Sequence, residues 1–368
     1  MPLLARMIPA PLVVDVRRGA LGELAKILAD QRISPSGRVA IAVGTTHGPV
    51  IRETFEPGLA GADWFTVDGC TINAAIRLME NIRRHRYDAI VGIGGGTVLD
   101  VTKFAAARIG LPMVAVATNL AHDGIASPIS TLDNDAGRGS YSVPAPIAVL
   151  VDLDLIAQAP PGSVRGGIGD IVSNLSATAD WEAAHRLRGE AIDGLAVSLS
   201  RTAAQAVIDH PGTLTDDRFL TTLAEGLVLS GMAMVVAGSS RPSSGACHEI
   251  SHAFDLLYPE RRGSHGEQVG LGAAFAWFLR GDFDRFHATV DCLHRHGLPV
   301  TPLQLGFSLD EFAEIIAFAP QTRPGRFTVL EEAALTPERI TVKVADFNDH
   351  AYARTQSPVT PEGKNLGI

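Results

Sequence analysis

The chain has 368 residues, and its 31 Lys plus Arg against 40 Asp plus Glu give a net charge of −9, which excludes a nucleic-acid-binding protein that relies on a basic surface. A hydrophobic content of 46% excludes a mostly disordered chain, and at about 100 to 200 residues per domain the length predicts two domains. Glycine is abundant at 37 residues while only 19% of the residues are charged. This composition favours buried parallel strands and close approach of the backbone to a ligand.

The N-terminal residues show no continuous apolar segment of the signal-peptide type, and charged residues follow at positions 15–18. Three separated cysteines, Cys70, Cys247 and Cys292, allow neither a disulfide framework nor a paired-cysteine metal site. The uncharged stretch 226–240 is shorter than the roughly 20 residues that span a bilayer, so we interpret it as a buried helix. We therefore expect a cytoplasmic protein without membrane or nucleic-acid partners.

The first part of the chain, up to about residue 155, alternates short β-branched runs with helical patterns. The strand candidates are residues 38–44, 64–68, 87–93, 112–117 and 147–152. The helix candidates are residues 21–31, 72–86 and 98–109. Such alternation predicts βαβ units and therefore a Rossmann-like α/β domain with an open parallel sheet.

Beyond Pro160 and Pro161 the patterns become helical. The helix candidates there are residues 164–186, 194–208, 220–236, 247–257, 266–279 and 282–296. We predict a Rossmann-like nucleotide-binding domain at residues 1–158 and an all-α domain at residues 159–368, ending in a polar tail of about 15 residues. Active sites commonly lie in the cleft between such domains.

A glycine run marks a candidate phosphate site. The strand candidate that ends at Ile93 leads into Gly94-Gly95-Gly96-Thr97, and a helix pattern follows at once. Backbone N–H groups at such a turn can approach a pyrophosphate, and the helix dipole favours its negative charge. The run matches neither GxGxxG nor GxxxxGK[ST], and a tight turn without a ligand is the alternative. Asp100 and Lys103, in the first turns of the helix, either orient a ligand or serve as helix cap and solvated side chain.

The loop that follows the next strand, residues 118–128, contains Asp123 before Gly124. Loops at the carboxyl ends of parallel strands are where ligands bind in this class of fold. Asp123 is therefore a candidate to hydrogen-bond a substrate hydroxyl or to take part in proton transfer. An Asx turn before the glycine is the structural alternative.

The helical half contains a candidate metal site. Asp170 enters an apolar helix pattern, His248 and His252 share a helix face at i, i+4, and His265 stands where another helix begins. One carboxylate and two neutral imidazoles suit Zn²⁺, with Ni²⁺ or Fe²⁺ feasible, and leave a coordination position open. The alternative is that these histidines are structural. The HExxH string at 248–252 is not taken as a protease motif, because the first half of the chain is built for a dinucleotide.

These blocks, in this order, resemble the glycerol-1-phosphate dehydrogenase family, within the superfamily of glycerol dehydrogenase, iron-containing alcohol dehydrogenases and dehydroquinate synthase. The matching blocks are residues 94–103, 118–128, 169–170, 180–181, 240–245, 248–255, 265–270 and 326–330. The resemblance implies a dehydroquinate synthase-like fold, with NAD or NADP and one divalent metal, most simply Zn²⁺, in the cleft. It also implies a small phosphorylated substrate and a homo-oligomer.

The resemblance further implies the following roles, carried over position by position. The metal ligands are Asp170, His248 and His265, and the substrate side chains are Asp123 and His252. The cofactor residues are Gly94, Gly95, Gly96, Thr97, Asp100 and Thr118. The implied reaction is reduction of dihydroxyacetone phosphate, or a related phosphorylated ketone or aldehyde, by hydride transfer, with the proton passing through Asp123, His252 or water. Candidates for binding the substrate phosphate are Lys103, Arg241 and His252, with Arg241 equally a helix cap.

Two positions depart from the family pattern. Ala121 replaces a Ser that the family often carries two positions before the Asp-Gly pair, which removes a hydroxyl from the cleft. The strand candidate that ends near Gly44 lacks a following acidic residue for a ribose 2′-hydroxyl, which weakens a strict NAD preference. A sugar-phosphate cyclase that uses NAD transiently, like dehydroquinate synthase, and a non-catalytic nucleotide binder are the alternative functions.

Overall fold

The computed structural model describes residues 11–59, 61–135, 137–261 and 263–356. Its strands are β1 (Val13–Arg17), β2 (Val39–Gly44), β3 (Asp63–Val67), β4 (Ala89–Gly94), β5 (Met113–Ala117), β6 (Ile129–Asn134), β7 (Gly137–Ser142) and β8 (Ala148–Asp152). A 6-stranded parallel sheet has the order β1-β8-β5-β4-β2-β3, while β6 and β7 form a separate antiparallel hairpin. The predicted parallel-sheet domain is confirmed.

The helices are α1 (Leu24–Leu28), α2 (Gly48–Phe55), α3 (Ile72–Ile82), α4 (Gly96–Ile109), α5 (Leu153–Ile156), α6 (Pro161–Arg188), α7 (Gly194–Asp209), α8 (Asp217–Ala237), α9 (Ala246–Leu257), α10 (His265–Arg280), α11 (Phe283–Arg295), α12 (Leu309–Phe318), α13 (Val329–Ala333) and α14 (Pro337–Gln356). From α6 onward the described chain is helical, as predicted. The change falls at Pro160 and Pro161, and the domain boundary at residue 158 stays a prediction.

The central strands are apolar throughout because both faces of the sheet are covered. Every residue of β4, β5 and β8 is buried, as is typical of parallel strands between helical layers. On one face Ile41 and Val43 pack with α1, and on the other Ala40 and Ala42 join a core that continues into the helical half. One hydrophobic core therefore connects the sheet to the helices that carry the candidate metal ligands.

The register brings the candidate loops together. Val43 pairs with Ile93, and Gly94 pairs with Ala117. The carboxyl ends of β2, β4 and β5 therefore lie side by side at one edge of the sheet. The glycine run and the 118–128 loop both begin at this edge.

Several elements were not predicted. β1 is a short edge strand, β6 is mostly polar, and β7 is rich in Ser and Gly. None of the three shows the buried apolar run that marks the central strands. The predicted polar tail is wrong for residues 354–356, which belong to α14, and residues 357–368 lie outside the described chain. α14 does carry a helical signal, since Ile340, Val344, Phe347 and Ala351 are buried at three- and four-residue spacing.

The buried helix predicted over residues 226–240 is confirmed for residues 226–237, which belong to α8, while residues 238–240 lie beyond its end at Ala237. Among the described residues, α8 is the one helix with the length and hydropathy of a membrane span, and 61% of its most apolar window is buried inside the protein. It packs against α7 and against the loop that carries Asp123. Its apolar composition is explained by this burial.

Candidate active site

A cavity of about 290 Å³, here called the main cavity, lies where the 118–128 loop, the β6–β7 hairpin and the helices α6, α9 and α10 meet. Its lining includes Asp123, Asp170, His248, His252, His265, Arg138 and Arg323. The resemblance implied roles for the first five of these residues, and the structure brings all five to this cavity.

Close helix packing at glycines assembles the main cavity. A Cβ on Gly169 would lie 1.9 Å from the carbonyl oxygen of Gly266, and one on Gly167 would lie 1.9 Å from that of Leu120. α6 therefore touches both the start of α10 and the 118–128 loop. This contact places Asp170, the residue after Gly169, beside His265 and Asp123.

Three side chains of the main cavity form a donor set for a metal ion. The ligand atoms of Asp170, His248 and His265 all lie within 4.8 Å of one another. Asp170 Oδ1 is 3.8 Å from His248 Nε2 and 3.7 Å from His265 Nε2. These distances are slightly longer than the roughly 3.4 Å expected between ligands of a tetrahedral zinc ion with bonds near 2.1 Å. Among the described residues, none of these three atoms has a hydrogen-bond partner.

The electrostatics of the three side chains also fit a cation. Burial, reinforced by the neighbouring Asp123 carboxylate, raises the pKa of Asp170 well above its usual value. Burial and the nearby His265 hold the pKa of His248 well below its usual value, and burial lowers that of His265 to about 3. Both imidazoles are therefore neutral at physiological pH, as metal ligation requires. A divalent ion would neutralise a carboxylate that the protein otherwise buries without a cationic partner.

Asp123 is held from two sides. Its backbone N–H donates to Asp170 Oδ2 at 2.8 Å, and its carboxylate Oδ2 accepts from Ser230 Oγ of α8 at 2.8 Å. The local turn uses a different side chain, because His122 Nδ1 accepts from the N–H of Gly124 at 2.9 Å. The carboxylate of Asp123 is therefore positioned toward the main cavity rather than used as an Asx turn. Burial raises its pKa.

His252 lies one helical turn after His248 but outside the donor set. Its Nε2 is 3.2 Å from Arg323 Nη2. Because arginine only donates, Nε2 is the acceptor, and the ring proton of neutral His252 is on Nδ1. Burial and the Arg323 charge lower the pKa of His252 to about 4, so the ring stays neutral near pH 7.

Two of the three candidate phosphate ligands do not fit that role. Lys103 has no exposed side-chain surface, pairs with Asp100 at 3.0 Å and donates to the carbonyl oxygens of Gly124 and Ile129. Arg241 is bound bidentately by Glu190 and donates to the carbonyl oxygen of Phe327 at 3.0 Å. Both cations are engaged by protein groups around the cavity, so this geometry does not support their role as phosphate ligands, which stays a prediction.

Arg323 is, with Arg138 of β7, one of two arginines of the main cavity that sequence reasoning missed. It lies between α12 and α13, lines the main cavity, and contacts Ser240 Oγ at 3.3 Å as well as His252. Among the described residues it has no carboxylate partner within salt-bridge distance. Arg326 supports it, donating to Ser240 Oγ at 3.1 Å. The adjacent family block at 326–330 was the available signal, but the sequence did not show that this segment reaches His252.

A second cavity, of about 300 Å³ and here called the glycine cavity, lies at the carboxyl edge of the sheet. Its lining includes Gly94, Gly95, Gly96, Thr97 and Thr118, all predicted cofactor residues. Asp100, predicted with them, lies instead in the main cavity and pairs with Lys103. This position does not support a role for Asp100 at the cofactor site, which stays a prediction.

The glycine cavity is shaped for close approach to backbone. α4 begins at Gly96, and its N-cap Gly95 provides no side-chain cap for the first N–H groups of the helix. A Cβ on Gly94 would lie 2.6 Å from Val98 Cβ, and one on Gly95 would lie 2.3 Å from Asn119 Nδ2. Because these glycines have no side chains, the space next to the first N–H groups of α4 stays open. In nucleotide-binding folds a pyrophosphate binds at this position.

The chain is similar to known dehydrogenases along most of its length. The family model for iron-containing alcohol dehydrogenase matches residues 15–160. Glycerol-1-phosphate dehydrogenase [NAD(P)+] of Hyperthermus butylicus is 34% identical over 337 residues, which cover 90% of this chain and 95% of the relative. The Archaeoglobus fulgidus enzyme of the same name is 38% identical over 266 residues, covering 70% and 75%.

Solved structures show the same fold. A probable glycerol dehydrogenase from Sinorhizobium meliloti has a TM-score of 0.76 at 21% identity, covering 95% of this chain and 99% of that one. Glycerol dehydrogenase from Schizosaccharomyces pombe has a TM-score of 0.77 at 18% identity, covering 95% and 92%. The curated relatives, by their identity and coverage, show that the chain belongs to the glycerol-1-phosphate dehydrogenase family, whose members are NAD(P)-dependent alcohol dehydrogenases.

Proposed function

We propose that this enzyme reduces dihydroxyacetone phosphate, or a closely related phosphorylated ketone, with NADH or NADPH in a metal-dependent reaction in the cytoplasm. The observation that carries the proposal is the side-by-side placement of the Asp170–His248–His265 donor set and Arg323 in one cavity. A carbonyl group and a phosphate of one small molecule would engage these two features. The curated relatives, named for glycerol 1-phosphate and NAD(P)+, support this assignment.

The donor set would hold a divalent ion, which when bound supplies Lewis-acid polarisation of a substrate carbonyl. The glycine cavity would hold the cofactor, the source of the hydride. Asp123 accepts a hydrogen bond from a substrate hydroxyl, and Ser230 keeps its carboxylate turned toward the cavity. Neutral His252 presents its Nδ1–H as a donor while Arg323 occupies its Nε2.

Arg323 and His252 are proposed as the phosphate-binding side chains, in place of Lys103 and Arg241. A guanidinium without a carboxylate partner binds phosphate oxygens by strong charge-assisted hydrogen bonds. Burial of the Arg323 guanidinium lowers the pKa of this group, which reflects the free-energy cost of removing its charge from water. An anionic substrate group would offset that cost.

The glycine cavity favours acceptance of both cofactors. After β2 it is lined by Thr45, Thr46 and His47, and none of its described lining residues carries a carboxylate. A carboxylate at this position would bind a ribose 2′-hydroxyl and repel a 2′-phosphate. We therefore expect NADPH to be used alongside NADH.

The test is a spectrophotometric measurement of NADH and NADPH oxidation with metal-free protein and with the same protein loaded with Zn²⁺, Ni²⁺ or Fe²⁺. Dihydroxyacetone phosphate and dihydroxyacetone are compared as substrates. We expect oxidation only after metal loading, with a much higher kcat/KM for the phosphorylated ketone. Full activity of rigorously metal-free protein, or equal kcat/KM for the two ketones, would contradict the proposal. Phosphate release from a sugar phosphate without net cofactor oxidation would indicate a cyclase instead.

A further inference from the structure

The two histidines of the donor set differ in what contacts their second ring nitrogen. His265 Nδ1 lies 3.1 Å from Ser251 Oγ, a buried hydroxyl on the neighbouring helix α9. His248 Nδ1 lies 3.3 Å from the sulfur of Cys247, its neighbour in sequence. Sulfur is a weak hydrogen-bond acceptor. His265 therefore has the stronger hydrogen-bond partner at its second ring nitrogen, and the orientation of its ring is the more tightly fixed of the two.

Ser251 belongs to a chain of hydrogen bonds between α9 and α10. Its Oγ donates to Gln268 Oε1 at 2.7 Å, and Gln268 Nε2 donates to Asp255 Oδ1 at 3.4 Å. Ser251 and Asp255 are four residues apart on α9, while His265 and Gln268 are three apart on α10. Each pair lies on one helix face, so the two packed helices present the four side chains to one another in sequence.

The chemistry of these groups sets the direction of every bond. The Asp255 carboxylate accepts only, so it turns the amide nitrogen of Gln268 toward itself and the amide oxygen toward Ser251. That oxygen takes the single hydroxyl proton of Ser251. Ser251 Oγ can then only accept from His265, which requires the ring proton on Nδ1. The lone pair of Nε2 is left facing Asp170, 3.7 Å away.

We propose that Ser251 is a positioning residue that, through Gln268 and Asp255, fixes the tautomer of His265 and so prepares its Nε2 for a divalent metal. The inference rests on the metal site of the proposed function and adds residues to which no role has been given. Partners of this kind orient metal-bound histidines and raise their basicity. Ser251 and Gln268 are 1% and 2% exposed, so water does not replace them easily.

The first test measures Zn²⁺ affinity of the metal-free protein by competition with a chromophoric chelator, without substrate or turnover. Ser251→Ala is expected to weaken binding by about 10- to 100-fold. Ser200→Ala is the matched control, since it removes another buried hydroxyl, which donates to the carbonyl oxygen of Pro242 at 2.6 Å. The control is expected to bind Zn²⁺ like the wild type.

A second variant separates orientation from packing. Gln268→Leu leaves Ser251 in place but frees its proton to bond His265 Nδ1, which favours the tautomer with the proton on Nε2. We expect weaker Zn²⁺ binding in this variant too. Combining it with Ser251→Ala should add little, because both changes break the same chain.

Nitrogen-15 spectra of the histidine rings in metal-free protein read the tautomer directly, with the His265 signals assigned by their loss in His265→Gln. The wild type should carry the proton on Nδ1, and Ser251→Ala should shift it toward Nε2. A wild-type proton on Nε2, or unchanged Zn²⁺ affinity in Ser251→Ala, would overturn the inference. If the wild type binds neither Zn²⁺, Ni²⁺ nor Fe²⁺, the proposed function fails, while the nitrogen spectra still decide the tautomer.

Discussion

The main cavity and the glycine cavity are built from different parts of the chain. The main cavity presents ionisable side chains from four helices, α4, α6, α9 and α10, and from several loops that are far apart in sequence. The glycine cavity presents mostly backbone and small side chains at the ends of adjacent parallel strands. The chemistry of the main cavity depends on which charged side chains there are not already paired with another protein group. The shape of the glycine cavity depends on positions that carry no side chain. Changes in one cavity should therefore leave binding at the other largely intact.

The largest effect is expected from Asp170→Asn. The amide keeps an oxygen that can accept the N–H of Asp123, but it lacks the charge needed to hold a divalent ion. Reductase activity should fall by about 1,000-fold or more, equivalent to roughly 4 kcal/mol of transition-state stabilisation. Metal content and steady-state kinetics measure this change. NADPH affinity, measured by fluorescence titration, should stay as in the wild type, and its loss would show that the two cavities are not independent.

Arg323→Ala should have the next largest effect, and only on phosphorylated substrates. Loss of hydrogen bonds from a guanidinium to phosphate is expected to lower kcat/KM for dihydroxyacetone phosphate by about 10- to 100-fold. The rate with dihydroxyacetone should change little. Arg241→Ala is the comparison variant, because its guanidinium is already bound to Glu190. If Arg241→Ala lost phosphate selectivity and Arg323→Ala kept it, the assignment of the phosphate site would be reversed.

Gly95→Ala tests the glycine cavity. The added Cβ would lie 2.3 Å from Asn119 Nδ2, so either the turn or Asn119 must shift. Weakening one hydrogen bond to a charged pyrophosphate should reduce cofactor affinity by about tenfold. Zn²⁺ affinity should be unchanged, which chelator competition measures. A variant with normal cofactor affinity would mean that the cofactor does not contact this turn.

Ser230→Ala is expected to have the smallest effect. It removes the hydroxyl that binds Asp123 Oδ2 and receives a hydrogen bond from Asn174 at 2.9 Å. With the Asp170 contact still present, kcat/KM should fall by about threefold to tenfold, mostly through KM. Ser200→Ala again serves as the control. An equal fall in both variants would indicate a general loss of stability rather than a specific effect on Asp123.

The glycine cavity was the more predictable of the two, because most of its features are local in sequence. An apolar strand, a glycine run and a helix that follow one another define a strand-to-helix turn at the carboxyl edge of a parallel sheet. Asp100 was the exception. It lies only four residues after Gly96, but its side chain on α4 is directed away from the glycine run and pairs with Lys103.

In the main cavity, the metal donor set could be predicted from the sequence, whereas the cations available to a substrate could not. Asp170, His248 and His265 are recognised by residue type in an apolar setting and by their match to a family pattern. Lys103 and Arg241 are cations within the matching blocks 94–103 and 240–245, yet each is paired with a carboxylate, Asp100 or Glu190.

The sequence by itself determined the fold class and the glycine turn, because strand and helix periodicity and the glycine run are features of consecutive residues. It also indicated the candidate metal ligands, through their residue types and their match to a family pattern. Tertiary structure alone decided which cations remain available to a substrate, and how the hydrogen bonds behind His265 are directed. Those outcomes depend on contacts between segments distant in the chain, such as the meeting of α6 and α10 at Gly169 and Gly266. Burial and pairing then set the charge that each side chain presents to the cavity.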